Sequence, residues 1–591
     1  MNPAALDHAV LALLVPLAAA ILFSGLDDLL IDIAWIGAWL KLQFRPAASL
    51  FPPGPRQLEA SPRGMIAIFV PLWREDAVIA RMLEHNLASI RYPDFHIFAG
   101  CYPNDAATQE AVRTVERRFP NVHLAVCPHD GPTSKADCLN WVYQHMLLYE
   151  EESGLRFEVV VTHDAEDIVH PEELRWINYY TARYDFVQTP VLPLRTPATE
   201  LMHGIYIDEF AEYHTRDMAV RAALGGFVPS CGVGTGYRRT ALERLAETSS
   251  NHIFEPEALT EDYDNGLRLK RLRCTQAFVP IAPHGASDFV ATREYFPRTF
   301  RAALRQRTRW VMGISLQSWQ KFGWRGTPAE IYWLWRDRKG LLANPLSVLA
   351  NVIFVYGLAT NIWTRAPLRA MQLAEVTFAL LTLRTIVRMA CVARIYGPVM
   401  ALGVPIRAVY ANILNSAATL EALRRFTWAR WHGHPLRWLK TEHAYPSRAV
   451  LLSHKRPIGD ILTAGGYISP ADLQTALDTR PPQTRLGEHL VNTGKLTTRA
   501  LYEALSFQQG LPVAKLAPFQ VRRNVARSLP EHVVQHWRVL PFQVEQGALS
   551  LATPNVPSPE LTTVLAAFTK LDLRFHLMPP REFESLIAAL L

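Results

Sequence analysis

The chain has 591 residues, 49% of them hydrophobic and 19% charged, with a formal net charge of +7. At roughly 150 residues per domain this length exceeds one hydrophobic core, so several units are expected. The apolar share and a mean hydropathy of +0.02 are high for a soluble protein but low for a polytopic channel, so part of the chain is expected to sit in lipid. The six cysteines, Cys101, Cys127, Cys138, Cys231, Cys274 and Cys391, contain no CxxC pair. They give no sign of a zinc site or a disulfide framework, and the soluble parts are expected to face a reducing cytoplasm. Eight Lys/Arg fall between Glu421 and Arg456 against two Glu, a stretch suited to anionic membrane lipids. These residues lie beside apolar segments and no nucleic-acid module accompanies them, so no nucleic acid polymer is expected as a partner.

In chain order, Ala9 to Leu26 is uncharged and close to the ~20 residues that cross a bilayer. Its amino-terminal flank has Asp7 and no Lys or Arg, unlike a signal peptide, so residues 1–45 are expected to be an uncleaved transmembrane anchor with an interfacial helix. Residues 60–340 alternate strand-like apolar runs with amphipathic helices, the pattern of a mostly parallel α/β sheet. Met65 to Val70 is a buried strand ended by Pro71, followed by a helix from about Asp76 to Ile90. A strand over His96 to Ala99 leads into the turn Tyr102-Pro103-Asn104-Asp105, placing Asp105 at a strand's carboxyl end, where ligands of open α/β sheets bind.

Phe157 to Thr162 forms another strand that runs into His163-Asp164-Ala165-Glu166-Asp167. Two carboxylates one residue apart suit a hard divalent cation, although a solvated acidic turn or a helix cap has the same composition. Thr260-Glu261-Asp262 opens a helix with acidic first-turn residues, favourable to its dipole. Gln306-Arg307-Thr308-Arg309-Trp310 reads as a basic amphipathic interfacial helix with Trp310 at the headgroups.

In the 341–446 region, Leu341 to Thr364 is the clearest span, and a third runs from about Val376 to Val392 with Arg384 and Arg388 one turn apart. Charges at that depth should face a cavity or a protein partner, or snorkel, which makes both arginines candidates for lining a polymer path. Arg407 to Leu423, containing Asn412, Asn415 and Glu421, is expected to lie in the interface. Three crossings starting outside would put residues 60–340 and 447–591 on the same cytoplasmic side.

After the basic linker the chain repeats itself. Pro457-Ile458-Gly459-Asp460-Ile461-Leu462 and Arg485-Leu486-Gly487-Glu488-His489-Leu490 stand 28 positions apart, and Gly466/Gly494, Leu473/Leu501 and Leu477/Leu505 keep that offset. Such a period indicates a duplicated supersecondary unit, with Ser469 and Thr497 as helix caps.

Lys135-Ala136-Asp137-Cys138-Leu139-Asn140, Asp164-Ala165-Glu166, Thr260-Glu261-Asp262 and Gln306 to Trp310 together resemble the KAGALN, DxD, TED and QxxRW elements of processive, cellulose-synthase-like family 2 glycosyltransferases, which have a GT-A fold. The strings YPND, GPTSKADCLN, HDAED, LTEDYD and REYFP are similar to those of the inner-membrane glycosyltransferases of phage receptor systems. The resemblance implies an inverting transfer from a UDP-sugar to a growing glycan in the bacterial inner membrane. Asp262 would act as base, flanked by Glu261 and Thr260. Asp164 and Glu166 would hold Mg²⁺ or Mn²⁺, with Asp167 in reserve because Glu166 replaces the family's second Asp. Asp105 would hold the uridine and Lys135 would add positive charge near the nucleotide. Gln306, Arg309 and Trp310 would bind diphosphate and support the acceptor sugar. An outer-membrane export partner is implied as well.

The second repeat, Arg485 to Gln508, fits RLGExLxxxGxLxxxxLxxALxxQ and resembles the MshEN domain of type II secretion ATPases, a family that includes cyclic-di-GMP receptors. That implies a dinucleotide held by Arg456, Ile458, Gly459, Leu462 and Leu473 from one repeat and by Arg485, Leu486, Gly487, Leu490, Leu501 and Gln508 from the other. The first repeat has Pro457 where Arg is expected, Arg456 one place earlier, and Arg480 in place of the final Gln. The expected architecture is an α/β GT-A glycosyltransferase domain, transmembrane α-helices and a C-terminal α+β MshEN-like domain over 447–591. The expected function is a cyclic-di-GMP-activated polysaccharide synthase. An inactive phage-receptor scaffold, or a transferase whose terminal domain docks a protein partner, remain the alternatives.

Overall fold

The computed structural model describes residues 3–43, 53, 55–279, 289–433, 457–464, 467–509, 511–514, 516–545 and 547–590. They fall in two compact units, Met1–Ile79 with Asp94–Pro446, and Ala80–Pro93 with Ser447–Leu591.

In the first unit the described residues form a seven-stranded sheet from β1 (Ile66–Pro71), β2 (Phe95–Cys101), β3 (Val122–Val126), β4 (Val159–Thr162), β5 (Phe186–Gln188), β7 (Thr235–Arg238) and β8 (Gln276–Phe278), in the order β3-β2-β1-β4-β7-β5-β8. β6 (Val191–Pro193) and β9 (Thr292–Glu294) pair separately in parallel. β1 runs parallel to both neighbours, with Ile66 opposite Phe95 and Val159, and it is apolar throughout because both faces of a parallel sheet are covered. β7 is antiparallel to β4 and β5. The strands foreseen at 65–70, 96–99 and 157–162 are all present within one or two residues.

A helix over Lys135–Ser153 lies against this sheet and fixes where its first residue points. At Gly100 an added Cβ would sit 2.5 Å from Val142 Cγ2 and 2.6 Å from Cys138 Sγ, so the helix seats directly on β2. Its Val142 and Met146 join Phe69, Phe98, Phe157 and Tyr237 in the core. Lys135 is thereby held at the carboxyl edge of the strands.

Among the described residues three helices are long and apolar enough to cross a membrane, through Leu6–Ala38, Gly340–Thr360 and Leu368–Tyr396. The first belongs to one unbroken helix, Pro3–Gln43, that continues past Leu26, where the apolar run ends in sequence. It continues because Asp27, Asp28 and Asp32 are buried against cations from distant segments. Lys339 reaches Asp27 at 2.6 Å, Arg336 and Lys339 each lie 3.3 Å from Asp28, which also pairs with Arg384, and Arg216 meets Asp32 at 2.5 Å. Glu212 takes Arg388 at 2.5 Å and Arg216 at 3.0 Å, and Asp217 takes Arg336 at 2.9 Å.

Buried charges persist only when paired in this way. Arg384 and Arg388, expected to face a cavity or a protein partner, or to snorkel, and candidates for lining a polymer path, face protein as members of this ion-pair network.

The helix foreseen in the interface runs over Val404–His432 and is not one of the three candidate spans. Two of its polar residues face protein: Arg407 donates two hydrogen bonds to Asp208 at 2.8 and 2.7 Å, and Asn415 meets Glu209 at 3.1 Å. Its exposed side carries Ile406, Val409, Ile413 and Leu420, then Trp428 and Trp431 together with Arg424 and Arg430.

In the second unit, β10 (Leu540–Glu545), β11 (Ala548–Thr553) and β12 (Asp572–Leu577) form a sheet with an antiparallel and a parallel pair. Ahead of it the 28-residue repeat is two helical pairs, Ile458–Ala464 with Pro470–Thr479 and Leu486–Asn492 with Thr498–Gln509. A Cβ on Gly459 would lie 2.8 Å from Leu473 Cδ1, and one on Gly487 would lie 2.4 Å from Leu501 Cδ1, the same contact twice. Ser469 and Thr497 accept the backbone N–H of Asp472 and Ala500, each at 3.1 Å. Gly487 and Leu490 are buried, and Leu462 and Leu473 lie within the first pair. Arg456 and Gly466 lie outside the described residues.

Candidate active site

The carboxyl ends of β1, β2 and β4 open onto a cleft. Lys135, Asp164, Glu166, Thr260, Glu261, Asp262, Gln306, Arg309 and Trp310 all line it, although they come from four separate stretches of chain. Lys135 is the first residue of its helix, whose cap Ser134 accepts the Asp137 N–H at 3.2 Å. Its Nζ lies 2.6 Å from Asp164 Oδ1 and 4.0 Å from Glu261 Oε1, so one ammonium links the acidic turn after β4 to the Thr260-Glu261-Asp262 segment.

The acidic turn is held from beneath. Asp167 is fully buried, and its Oδ2 accepts the Asp164 N–H at 2.9 Å and meets His163 Nδ1 at 2.9 Å. His163 Nε2 faces Glu173 at 3.1 Å, and Glu173 accepts the Thr292 hydroxyl at 2.9 Å. Burial disfavours a charge on His163, but its bonds to Asp167 and Glu173 outweigh burial and push its pKa up to about 10. Asp167, foreseen as a reserve metal ligand, is thus committed to an imidazolium and to shaping the turn. Asp164 and Glu166 face the cleft.

The helix Glu261–Arg271 begins where the acidic first turn predicts, with Thr260 at the cap position. The Thr260 hydroxyl makes no capping bond; it packs so closely on Gly313 that a Cβ there would lie 2.3 Å from Oγ1. Asp262 Oδ1 accepts the Tyr263 N–H at 2.7 Å. Its Oδ2 borders Gly232, where φ is +80° and a Cβ would approach within 2.9 Å of that oxygen and 3.4 Å of Lys135 Nζ. Gly232 therefore leaves the space beside Asp262 open. Burial raises the pKa of both Glu261 and Asp262, and Lys135 and Arg309 act against it.

On the helix Phe300–Trp310, positions 306, 309 and 310 share one face, which meets the cleft. Arg307 points the other way, 2.8 Å from Glu209, 2.5 Å from Asn415 and over the Tyr206 ring at 4.4 Å, so it anchors the helix rather than binding in the cleft. Gln306 Oε1 and Arg309 Nε are buried with no hydrogen-bond partner among the described residues, as expected of groups that complete their bonding with a ligand.

Two residues depart from sequence reasoning. Asp105 is not among the cleft-lining residues: its carboxylate accepts the Arg74 N–H at 2.6 Å and caps the helix Ala106–Glu116, tying the exit of β1 to that of β2. Glu294, which entered the sequence reading only within the string REYFP, lines the cleft at the end of β9. Burial, then the charges of Asp167, Glu166 and Asp164, hold its carboxyl well above the usual range. No local motif marks it, because its acidic neighbours belong to a strand turn over a hundred residues earlier.

This excess of negative charge fits a divalent cation. Among the described residues no group of three or more His, Cys, Asp or Glu could hold one alone. Asp164 and Glu166 offer two hard oxygen donors, leaving the other positions to phosphate oxygens and water.

With this geometry in view, residues 62–313 match the family described as glycosyltransferase like family 2, and residues 509–591 match the MshEN domain. Bacteriophage adsorption protein B of Escherichia coli (strain K12) and bacteriophage N4 adsorption protein B of Escherichia coli O157:H7 are each 35% identical over 590 residues, covering 94% of this chain and 78% of the relative. The chain belongs to the bacteriophage adsorption protein B family. As a member of this family it is a membrane protein and a glycosyltransferase, with a GT-A-like α/β sheet, three candidate transmembrane helices and a C-terminal MshEN domain. In this chain the MshEN match starts at 509, so the 28-residue repeats precede it. A mannosyltransferase from Pyrobaculum calidifontis, solved with GDP-Man and Mn²⁺, is 18% identical, covers 70% of this chain and 99% of its own, and has a TM-score of 0.46.

Proposed function

We propose that this protein is a processive, inverting, metal-dependent glycosyltransferase of the bacterial inner membrane. It extends an exopolysaccharide from a UDP-sugar, is activated by cyclic-di-GMP, and makes a product that reaches an outer-membrane export partner and serves as a phage receptor. The observation that carries this reading is the convergence of Asp164, Lys135, Glu261, Asp262, Gln306, Arg309 and Trp310 on one cleft. Asp262 takes the proton from the acceptor hydroxyl as that oxygen attacks the anomeric carbon from the face opposite the leaving diphosphate. Burial raises the pKa of its carboxyl, and Lys135 and Arg309 act against that rise and bring positive charge to the cleft. Trp310 offers a flat apolar face to the acceptor ring, and Gln306 and Arg309 complete their bonding on donor oxygens. Asp164 and Glu166 would hold Mg²⁺ or Mn²⁺, which would supply neutralising charge to the departing diphosphate. Incubating membranes with a panel of UDP-sugars and measuring released UDP tests the reading; release with none of them would overturn it.

Metal removal gives a separate expected result. Chelation abolishes transfer and added Mn²⁺ or Mg²⁺ restores it, while Asp164→Ala lowers transfer by roughly 10²- to 10³-fold, the scale of losing one charge-stabilising group. Full activity of Asp164→Ala would remove that residue from the metal site.

The regulatory part rests on the repeated Gly–Leu contacts and on Arg485, Leu486 and Gly487 opening the second helical pair. A dinucleotide activates only by binding one arrangement more tightly than another. Arg485→Ala is expected to lose both cyclic-di-GMP binding, measured by calorimetry on the full chain, and the activity response to the dinucleotide. Unchanged binding would remove Arg485 from the dinucleotide site, and no binding of cyclic-di-GMP by the parent chain would favour a terminal domain that docks a protein partner.

A further inference from the structure

The helix that carries Gln306, Arg309 and Trp310 does not end at the cleft. It continues directly into a π-helical turn, Val311–Gln317, and this turn forms a seat under the segment leading to Asp262. Wide turns of this kind place residues four and five apart on one face. Here Met312, Gly313, Leu316 and Gln317 all meet the Glu257–Thr260 segment. Leu259 is buried with Met312 and Leu316. Gly313 lies so close to Thr260 that a Cβ would come within 2.3 Å of Oγ1 and 2.7 Å of Cγ2.

The amide of Gln317 spans the segment's backbone in both directions: its Oε1 accepts the Leu259 N–H at 3.0 Å, and its Nε2 donates to the Glu257 carbonyl at 2.9 Å. A second cleft, lined by Glu255, Glu257, Thr260, Asp264, Gly313 and Gln317, lies beside this joint. The segment has space to shift on that side. Lys321 ties its flanks, at 3.1 Å from both Glu255 and Asp264, and leaves the middle to Gln317.

We propose that Gln317 is a positioning residue for Asp262. Its side-chain amide fixes the backbone three residues before the base to the same continuous helix that presents Trp310, so that base and acceptor platform keep one relative placement. The inference rests on Asp262 being the base. Truncating the amide frees the segment toward the cleft beside it, and a displacement of about 1 Å in a reacting group costs up to ~10²-fold in rate.

The test uses the full chain in membranes or detergent with the active UDP-sugar. Gln317→Ala is expected to lower kcat by about 10- to 100-fold while the donor KM and the unfolding temperature stay near those of the parent protein. Gln317→Glu keeps the acceptor for the Leu259 N–H but loses the bond to Glu257, so its kcat should fall between the two. Gln320→Ala, in the same cleft but outside the joint, should stay within about twofold of the parent. Parent-like kcat in Gln317→Ala overturns the proposal. So does a loss of kcat accompanied by equal losses of donor binding and thermal stability, since that marks a general structural role. If Gln317→Ala does not fold, the comparison of Gln317→Glu with Gln320→Ala decides by the same criteria. No transfer by the parent protein with any UDP-sugar defeats the functional reading itself, whereas an active parent with an unaffected Gln317→Ala defeats this inference alone.

Discussion

The Asp262→Asn variant is expected to lose sugar transfer by about 10²- to 10⁴-fold, the contribution of a positioned general base, while still binding the donor. Asparagine keeps the shape of the side chain and can still accept the Tyr263 N–H through its carbonyl oxygen, so the backbone at the helix start has no reason to move. It cannot take up the acceptor proton. Single-turnover transfer with saturating UDP-sugar, beside direct donor binding, separates the two effects. Retention of more than about a tenth of the parent rate would exclude Asp262 as the base.

The same carboxylate sets a pH dependence. Burial raises its pKa, the charge of Asp164 adds to that, and Lys135, Arg309 and the Tyr263 N–H oppose it. A base works only when ionised, so activity should be present above its raised pKa and fall as pH drops through it. The acid limb of kcat/KM should thus lie above the ~3.9 of an ordinary aspartate and vanish in Asp262→Asn. An acid limb at the ordinary carboxylate position would contradict this placement.

The largest stability effect is expected from Arg407→Ala. Arg407 and Asp208 are both buried, joined by two hydrogen bonds at 2.8 and 2.7 Å, and Arg407 also donates to the Met400 carbonyl at 2.6 Å. Gly204 and Gly403 make the channel for this side chain: a Cβ would come within 2.6 Å of its Cδ at the first and collide with its guanidinium at the second. Removing the arginine leaves an uncompensated buried carboxylate, at a cost of about 3–5 kcal/mol. Replacing both partners by apolar residues of similar volume, Asp208→Leu with Arg407→Met, should recover most of the loss, because a buried ion pair contributes little net stability beyond satisfying itself. Thermal unfolding in detergent checks both. A double variant as unstable as Arg407→Ala would show that the pair organises the junction in a way apolar packing cannot replace.

The elements that sequence reasoning located best are those governed by local rules. β1, β2 and β4 are legible because a strand buried on both faces must be continuously apolar, and the Glu261–Arg271 helix because acidic residues favour its positive end. The resemblance to QxxRW, not the local pattern, grouped Gln306, Arg309 and Trp310, and the 28-residue offset anticipated a duplicated helical unit, seen in the paired Gly–Leu contacts. Where sequence reasoning fell short, the deciding partner was far away along the chain. Asp27, Asp28 and Asp32 look like the end of a membrane span until Arg216, Arg336, Lys339 and Arg384 stand beside them. Asp167 looks like a metal ligand until His163 and the Asp164 amide claim it, and Asp105 looks like a nucleotide contact until the Arg74 amide takes its carboxylate.

By itself the sequence determined the chemistry on offer: which carboxylates, amides and aromatic groups are present, on which kind of element, and that the chain joins a catalytic sheet, apolar spans and a duplicated helical unit. Only the tertiary structure decided which of those groups share a cleft and which are consumed holding it together. The physical reason is that an ionised or polar side chain must be satisfied once it leaves water, and what satisfies it is set by packing in space, which no local pattern of residues specifies.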